Sequence, residues 1–178
     1  MILELLKERN IPKLLTKEEM LEILCNEVYG IMPKKPDKLT FTVEHDVIPG
    51  FCAGKANYSK VTAVCEIMNQ TFSFPFSCVI PKGDEKHPFF VHINFRGAVP
   101  DRYEPTEELV DHGFAVLSFD YNDVTKDNGD FSDGLSGVLY KEGVRKENDP
   151  GKIAMWAWAA QRVMDYAETL ENLDLNLV

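Results

Sequence analysis

Basic residues are in short supply: 19 Lys and Arg stand against 29 Asp and Glu in 178 residues, a formal charge of −10. A general nucleic-acid binder needs clustered cations to displace counterions from phosphates, so that class is excluded. No apolar run approaches the roughly 18 residues that a membrane span needs, so no membrane partner is expected. The N-terminus, Met1-Ile2-Leu3-Glu4-Leu5-Leu6-Lys7-Glu8, acquires charge too early for the apolar centre of a secretory signal. The four cysteines, Cys25, Cys52, Cys65 and Cys78, contain no Cys-x-x-Cys pair, which predicts reduced, mostly buried thiols in a cytoplasmic protein. A disulfide between Cys65 and Cys78 is left open, because both fall on neighbouring predicted strands. His45, His87, His92 and His112 lack metal-ligand spacing, and no Gly-x-Gly-x-x-Gly follows a strand. Neither a metal nor a cofactor is implied.

What is present is ordinary globular material, 44% hydrophobic and 27% charged, enough for one domain with a core. Residues 1–60 read as a helical and extended lead-in. Thr16 and Glu19 have capping-box spacing, with Leu15 and Met20 as a staple, and Met20, Leu21, Leu24 and Val28 recur at helical intervals. Gly30, Pro33 and Pro36 end that helix, and a short β-type run follows at Leu39–Val43.

Residues 61–178 have a different character. Val61–Ile67 and Thr71–Ile80 are rich in β-branched and aromatic residues around the polar pair Asn69-Gln70, which predicts an antiparallel hairpin. Pro75 places the second strand at an edge or a bulge. Phe89–Phe95 has almost no polar face and predicts a strand covered on both sides. Thr106–His112, closed by Gly113, predicts a helix, and Phe114–Phe119 another buried strand. Residues 120–149 are polar, with aspartates at Asp120, Asp123, Asp127, Asp130 and Asp133 that miss EF-hand spacing, so a solvated loop is expected. Asp149 and Pro150 then have N-cap and N1 character for a helix to about Leu170. Its apolar stripe is Ile153, Trp156, Ala157, Ala160, Val163, Met164, Ala167 and Leu170, with Trp158 on another face. Leu175–Val178 looks like the start of a further strand.

A hairpin followed by β–α–β–α is the order in which an α/β-hydrolase opens, and three segments resemble that superfamily more specifically. His92-Ile93-Asn94-Phe95-Arg96-Gly97-Ala98-Val99-Pro100 resembles its oxyanion-hole loop, and Gly113–Tyr121 its next strand. Trp156-Ala157-Trp158-Ala159-Ala160-Gln161-Arg162-Val163-Met164-Asp165 resembles the helix before the nucleophile in bacterial carbohydrate esterases, among them acetyl xylan esterases and glucuronoyl methylesterases.

The resemblance implies an α/β fold in which an antiparallel hairpin leads into a parallel sheet flanked by helices. It implies hydrolysis of carbohydrate-linked esters by a serine nucleophile, a His base and an oxyanion hole. Phe95, Arg96 and Gly97 become oxyanion-hole candidates through their backbone N–H groups, although no His-Gly-Gly-Gly is present. Arg96 is also the substrate-binding candidate, with an ion pair to Glu104 or Asp120 as its structural alternative. The nucleophile of this fold sits in Gly-x-Ser-x-Gly on a strand-to-helix turn, which is expected just past Leu173 and is absent, as are the later acid and His. The expectation is a fold truncated before its nucleophile strand, inactive alone and acting on a carbohydrate ester only in a full-length form. The alternative is a non-catalytic binding or assembly module.

Two partial motifs compete for the nucleophile's place. Gly50-Phe51-Cys52-Ala53-Gly54 has no strong strand leading into it, and Gly134-Leu135-Ser136-Gly137-Val138 misses its last glycine, so both read as structural. His92 reads as a hydrogen-bonded core residue. The Phe89–Phe95 strand, lacking Lys, Pro or a bulge, is expected to associate with another copy unless its free edge is covered.

Overall fold

The computed structural model describes Glu4 and residues 15–96, 104–140 and 144–178. Its sheet is built around the expected hairpin, β2 (Ala56–Ile67) and β3 (Gln70–Pro81), paired antiparallel from Ala56↔Pro81 to Ile67↔Gln70. The turn is Met68-Asn69, one residue earlier than the polar pair suggested, with φ of 51° and 60°. Two successive positive φ values are what a two-residue hairpin of type I′ needs, and Asn tolerates that region far better than Met.

The lead-in strand β1 (Lys38–Glu44) pairs antiparallel with β2. On the other side β3 meets β5 (Ala115–Asp120) over Ser77–Val79 only. Pro75 therefore lies inside β3 but past its ladder with β5, where its missing N–H deprives no partner. β5 is then flanked in parallel by β4 (Phe89–Asn94), with α2 (Thr106–Asp111) between them in sequence. The strand order is β1-β2-β3-β5-β4. His112 and Gly113 (φ 81°) close α2 as the C-terminal glycine predicted.

One sheet face carries the core. Val61, Ala63 and Cys65 of β2, Phe72, Phe74 and Phe76 of β3, and Leu117 and Phe119 of β5 alternate onto it. The long helix α5 (Lys152–Ala167) covers that face with Met155, Trp158, Ala159 and Val163. The opposite face has a thinner cover of Phe51, Ala56, Val79 and Val110.

Several expectations are corrected. α5 starts at Lys152 with Gly151 as N-cap, not at Asp149-Pro150. Asp149 is used one turn earlier, where its Oδ2 accepts from Lys146 N–H at 2.7 Å. The expected stripe is also rotated: Ile153 is 56% exposed, while Trp156 and Trp158 are both buried. Two indoles about 200° apart on a helix are both covered because α5 has neighbours on two flanks. Trp158 packs on Phe72 and donates Nε1–H to Lys34 O at 2.8 Å. Trp156 packs on Tyr121 and donates to Thr125 O at 3.0 Å.

The first helix, α1 (Lys17–Ile23), has the Thr16–Glu19 capping box and then runs into a π-helical turn at Leu24–Val28. Leu15, Met20, Leu21, Leu24 and Val28 are exposed, so the apolar periodicity there does not mark a buried stripe. Gly30 (φ 83°) ends the element and has a second role. A Cβ there would collide with the Asp149 carbonyl, because Ile31 N–H donates to Asn148 O at 2.9 Å and Gly151 N–H to Tyr29 O at 2.8 Å.

β4 is not covered on both sides. It is the last strand of the sheet, and Phe90 is 46% exposed. Among the described residues only its start has a neighbour on the far side: Phe89 N–H donates to Leu177 O at 3.1 Å, and His87 bridges Leu173. Leu175–Val178 is a turn rather than a strand, with Asp174 Oδ1 accepting from Asn176 N–H at 3.0 Å.

The polar 120–149 segment is more than a solvated loop. It holds the short helices α3 (Tyr121–Val124) and α4 (Gly134–Leu139) around a buried ammonium. Lys152 Nζ donates to Asp130 O at 2.6 Å and Thr125 Oγ1 at 2.9 Å, and lies 3.5 Å from Asp133 Oδ1. Burial pushes the Asp133 carboxyl up, but Thr125, the Lys126 N–H and Lys152 outweigh it and leave it below the ordinary carboxylate range. Among the described residues no group of three His, Cys, Asp or Glu could hold a metal ion, and no helix is long and apolar enough to cross a membrane.

Candidate functional site

Parallel strands end with their carbonyls and loops on one side, and ligands of α/β sheets bind there. β4 and β5 end together at Asn94↔Asp120. Beside those ends is a cavity of about 150 Å³, with Tyr58 and Lys60 of β2 and Pro75–Ser77 of β3 on one wall. Asn94, Arg96, Ser118, Asp120 and Asp123 form the other. The strand pattern explains this lining. Tyr58 and Lys60, Ser77, Ser118 and Asn94 all alternate away from the apolar core face, onto the face that lacks a long helix.

Polar groups under the cavity are bonded to one another. The Glu104 carboxylate, 2% exposed, accepts from Ser118 Oγ at 2.8 Å, Asn94 Nδ2 at 3.1 Å and Thr106 Oγ1 at 3.3 Å. Ser77 Oγ donates to Ser118 O at 3.2 Å. Burial, and then the Asp120 charge, raise the Asp123 carboxyl above its ordinary range, with Lys60 opposing. Burial likewise raises the Tyr58 phenol.

The sequence-derived candidates fare differently. Arg96 does line the cavity. Its backbone N–H, however, donates to Asn94 Oδ1 at 2.9 Å, so it is not a free oxyanion donor in this arrangement. Phe95 is 59% exposed and stacks on Tyr121 with ring centroids 4.6 Å apart. Gly97 lies outside the described residues. Glu104, named as an ion-pair partner for Arg96, is instead bonded by three neutral donors.

Neither partial elbow motif makes a nucleophile. Cys52 (φ 51°) lies in a 3-10 turn, Cys52–Gly54, that leads into a strand and not a helix. Burial first, then Glu107 and Asp111, raise its thiol above the ordinary value, against a smaller opposing effect of Lys55. A raised thiol is a poor nucleophile at neutral pH. Ser136 is completely buried, with its Oγ 2.6 Å from Asp133 O and 2.9 Å from Thr125 Oγ1.

The four cysteines are free, and Cys65 and Cys78 cannot pair. Cys78 stands opposite Ser59, six residues along β2 from Cys65, which separates them by roughly 20 Å. The buried hydrogen-bonded histidine is His87, whose Nδ1 lies 2.9 Å from Gly113 O, rather than the half-buried His92.

Asn94, Glu104 and Ser118 were the residues that sequence reasoning passed over as site residues. Their signal was present: Asn94 and Ser118 are polar positions in otherwise apolar strand runs, and a buried polar group needs a partner.

A hairpin running into parallel strands, with a polar cavity at their carboxyl ends and a helix after β5, defines a partial α/β-hydrolase fold of the carbohydrate-esterase type. The family described as "Glucuronyl esterase, fungi" matches residues 64–178, and the chain belongs to that family. A glucuronoyl esterase from Teredinibacter turnerae superposes with a TM-score of 0.73 at 22% identity, covering 90% of this chain and 43% of that one. One from Solibacter usitatus gives 0.73 at 23%, covering 90% and 50%. The glucuronoyl esterase catalytic domain from Hypocrea jecorina gives 0.58 at 20%, covering 93% and 41%. The chain thus spans half or less of the length of these relatives. No curated protein is significantly similar to it in sequence.

Proposed function

We propose that this chain serves the hydrolysis of esters carried by carbohydrates, contributing the substrate-side scaffold rather than the nucleophile. The observation that carries the reading is the cavity at the joint carboxyl ends of β4 and β5, with Arg96 at its wall. A guanidinium there suits a uronate carboxylate or sugar oxygens, and the solved structures it resembles are of glucuronoyl esterases. The 178 residues contain no Gly-x-Ser-x-Gly, so on their own they hydrolyse nothing by that route.

The test joins two measurements on the 178-residue protein. With p-nitrophenyl acetate, no saturable turnover is expected. Titration with methyl glucuronate, a soluble uronic ester, should shift the amide signals of Asn94, Arg96 and Ser118 in the native protein, and the shifts should vanish in Arg96→Gln. Turnover abolished by Cys52→Ala or Ser136→Ala would sink the scaffold reading. Shifts absent from these amides at saturating ester would sink the site.

A second reading, a non-catalytic assembly module, is favoured by one feature: most of the β4 edge has no partner strand among the described residues. Association of two copies through Phe89–Asn94 is the form it would take.

A further inference from the structure

A carboxyl group buried without a cation is costly unless its polar atoms are hydrogen-bonded. Glu104 is in that position: no Lys, Arg or His among the described residues bonds it, and its three partners are neutral side chains on β4, β5 and the start of α2. Ser118 and Thr106 are hydroxyls that rotate to suit a partner. Asn94 is different, because its amide has one accepting end and one donating end.

Both Glu104 oxygens accept here, Oε1 from Thr106 and Oε2 from Ser118 and Asn94, so it is the donating end of the Asn94 amide that faces them. With Nδ2 held against Glu104 at 3.1 Å, Oδ1 is turned outward and takes the Arg96 N–H at 2.9 Å. That second bond is an Asx-turn, a side chain standing in for a backbone carbonyl where a strand stops. The same Asn94–Glu104 bond joins positions ten residues apart in sequence, so it ties the end of β4 to the entry of α2. Asn94 and Arg96 both line the cavity, so this pair of bonds sets the rim on that side.

We infer that Glu104 is a positioning residue: its buried carboxylate locks the Asn94 amide in one orientation and thereby fixes the Arg96 turn at the cavity rim. The consequence for ester hydrolysis rests on the function proposed above. The relay itself does not, and it is tested without any turnover measurement.

The measurement is residue-resolved amide hydrogen exchange by NMR on the 178-residue protein. Arg96 N–H should be protected in the native protein and lose about tenfold in protection, one hydrogen bond's worth, in Glu104→Ala. Asn94→Ala should lose the same amount, and the double variant no more than either alone, because both substitutions break one chain of bonds. Glu104→Gln, which keeps an accepting oxygen, should restore most of it. Val79 and Leu117, on β3 and β5, serve as reference amides and should not change. If Glu104→Ala fails to fold, the near-isosteric Glu104→Met keeps the volume while removing the acceptor, and takes its place. Unchanged Arg96 protection, additive losses in the double variant, no rescue by Gln, or an equal loss at Val79 and Leu117 would each overturn the relay. Failure of the methyl glucuronate titration would leave these rates untouched.

Discussion

Trp158 and Ile153 make opposite predictions under the apolar stripe read from sequence and under the observed packing, so truncating each decides between them. Trp158 is fully buried and Ile153 is 56% exposed, the two being about 140° apart around α5. A buried indole removes roughly 200 Å² from water, worth about 5 kcal/mol at 25 cal/mol per Å². The retained Cβ lowers that figure, and the lost Nε1–H bond to Lys34 O adds about 1 kcal/mol. Trp158→Ala should therefore cost ~3–5 kcal/mol, the range of buried aromatic truncations. Trp158→Phe keeps most of the ring and should cost roughly half as much. Ile153→Ala gives up a half-exposed side chain but gains helix propensity, so it should stay within about 0.5 kcal/mol. Urea unfolding followed by far-UV circular dichroism reads all three, with m compared to exclude a changed denatured state. Ile153→Ala matching or exceeding Trp158→Ala would refute the packing of α5 described above.

Lys152→Met should cost about 1.5–3 kcal/mol, since it strips charged hydrogen bonds from Thr125 and Asp130. Asp133→Asn should cost about 1 kcal/mol at pH 7, discounted for its partial exposure. The Asp133 pKa is lowered by folding, so its contribution is full above the unfolded value near 4 and is lost as pH falls through the folded value. The cost of Asp133→Asn should accordingly fade in acid, and a constant difference between pH 7 and pH 3 would contradict the assignment. In the native protein at pH 8, iodoacetamide should label the exposed Cys25 first. Cys65 and Cys78, pushed by burial up to about 11 and about 12, should react only on unfolding; fast loss of four thiols would contradict their burial. Sedimentation by analytical ultracentrifugation should show concentration-dependent self-association, with protection on the Phe90–Ile93 amides rising as it does. A monomer at all concentrations whose amides there exchange freely would remove the assembly reading.

Much of the fold was legible because its strands declare themselves. The β2–β3 pattern, the Thr106–Gly113 helix and the Ala115–Phe119 run each matched one local rule. What failed did so for a common reason: periodicity reads the hydrophobicity of a residue, not the number of neighbours it will have. Phe89–Phe95 looked doubly covered because it is apolar on both faces, yet Phe90 is 46% exposed on the last strand of the sheet. Met20, Leu21 and Leu24 mimic a buried stripe on a helix that buries nothing. On α5 the error ran the other way. Lys152 and Arg162 face inward with polar partners, at Asp130 and Asp165, so a hydrophobic count excluded two residues of the buried face.

The candidate site was hidden by the same bias, and the remedy is visible in its own residues. An apolar strand that must bury both faces cannot admit a polar side chain without supplying it a partner. Ser118 stands in the most buried strand, flanked by Leu117 and Phe119, and Asn94 ends the neighbouring one. The parallel register sets His92 opposite Ser118 and Asn94 opposite Asp120, so these polar positions gather toward one end of the strand pair. A buried acceptor had to lie nearby in space to satisfy both Ser118 and Asn94, and among the described residues the first buried carboxylate after β4 is Glu104. Interruptions of an apolar run therefore carry more information about a site than the run itself, because each one obliges the fold to build a polar partner where the strands end.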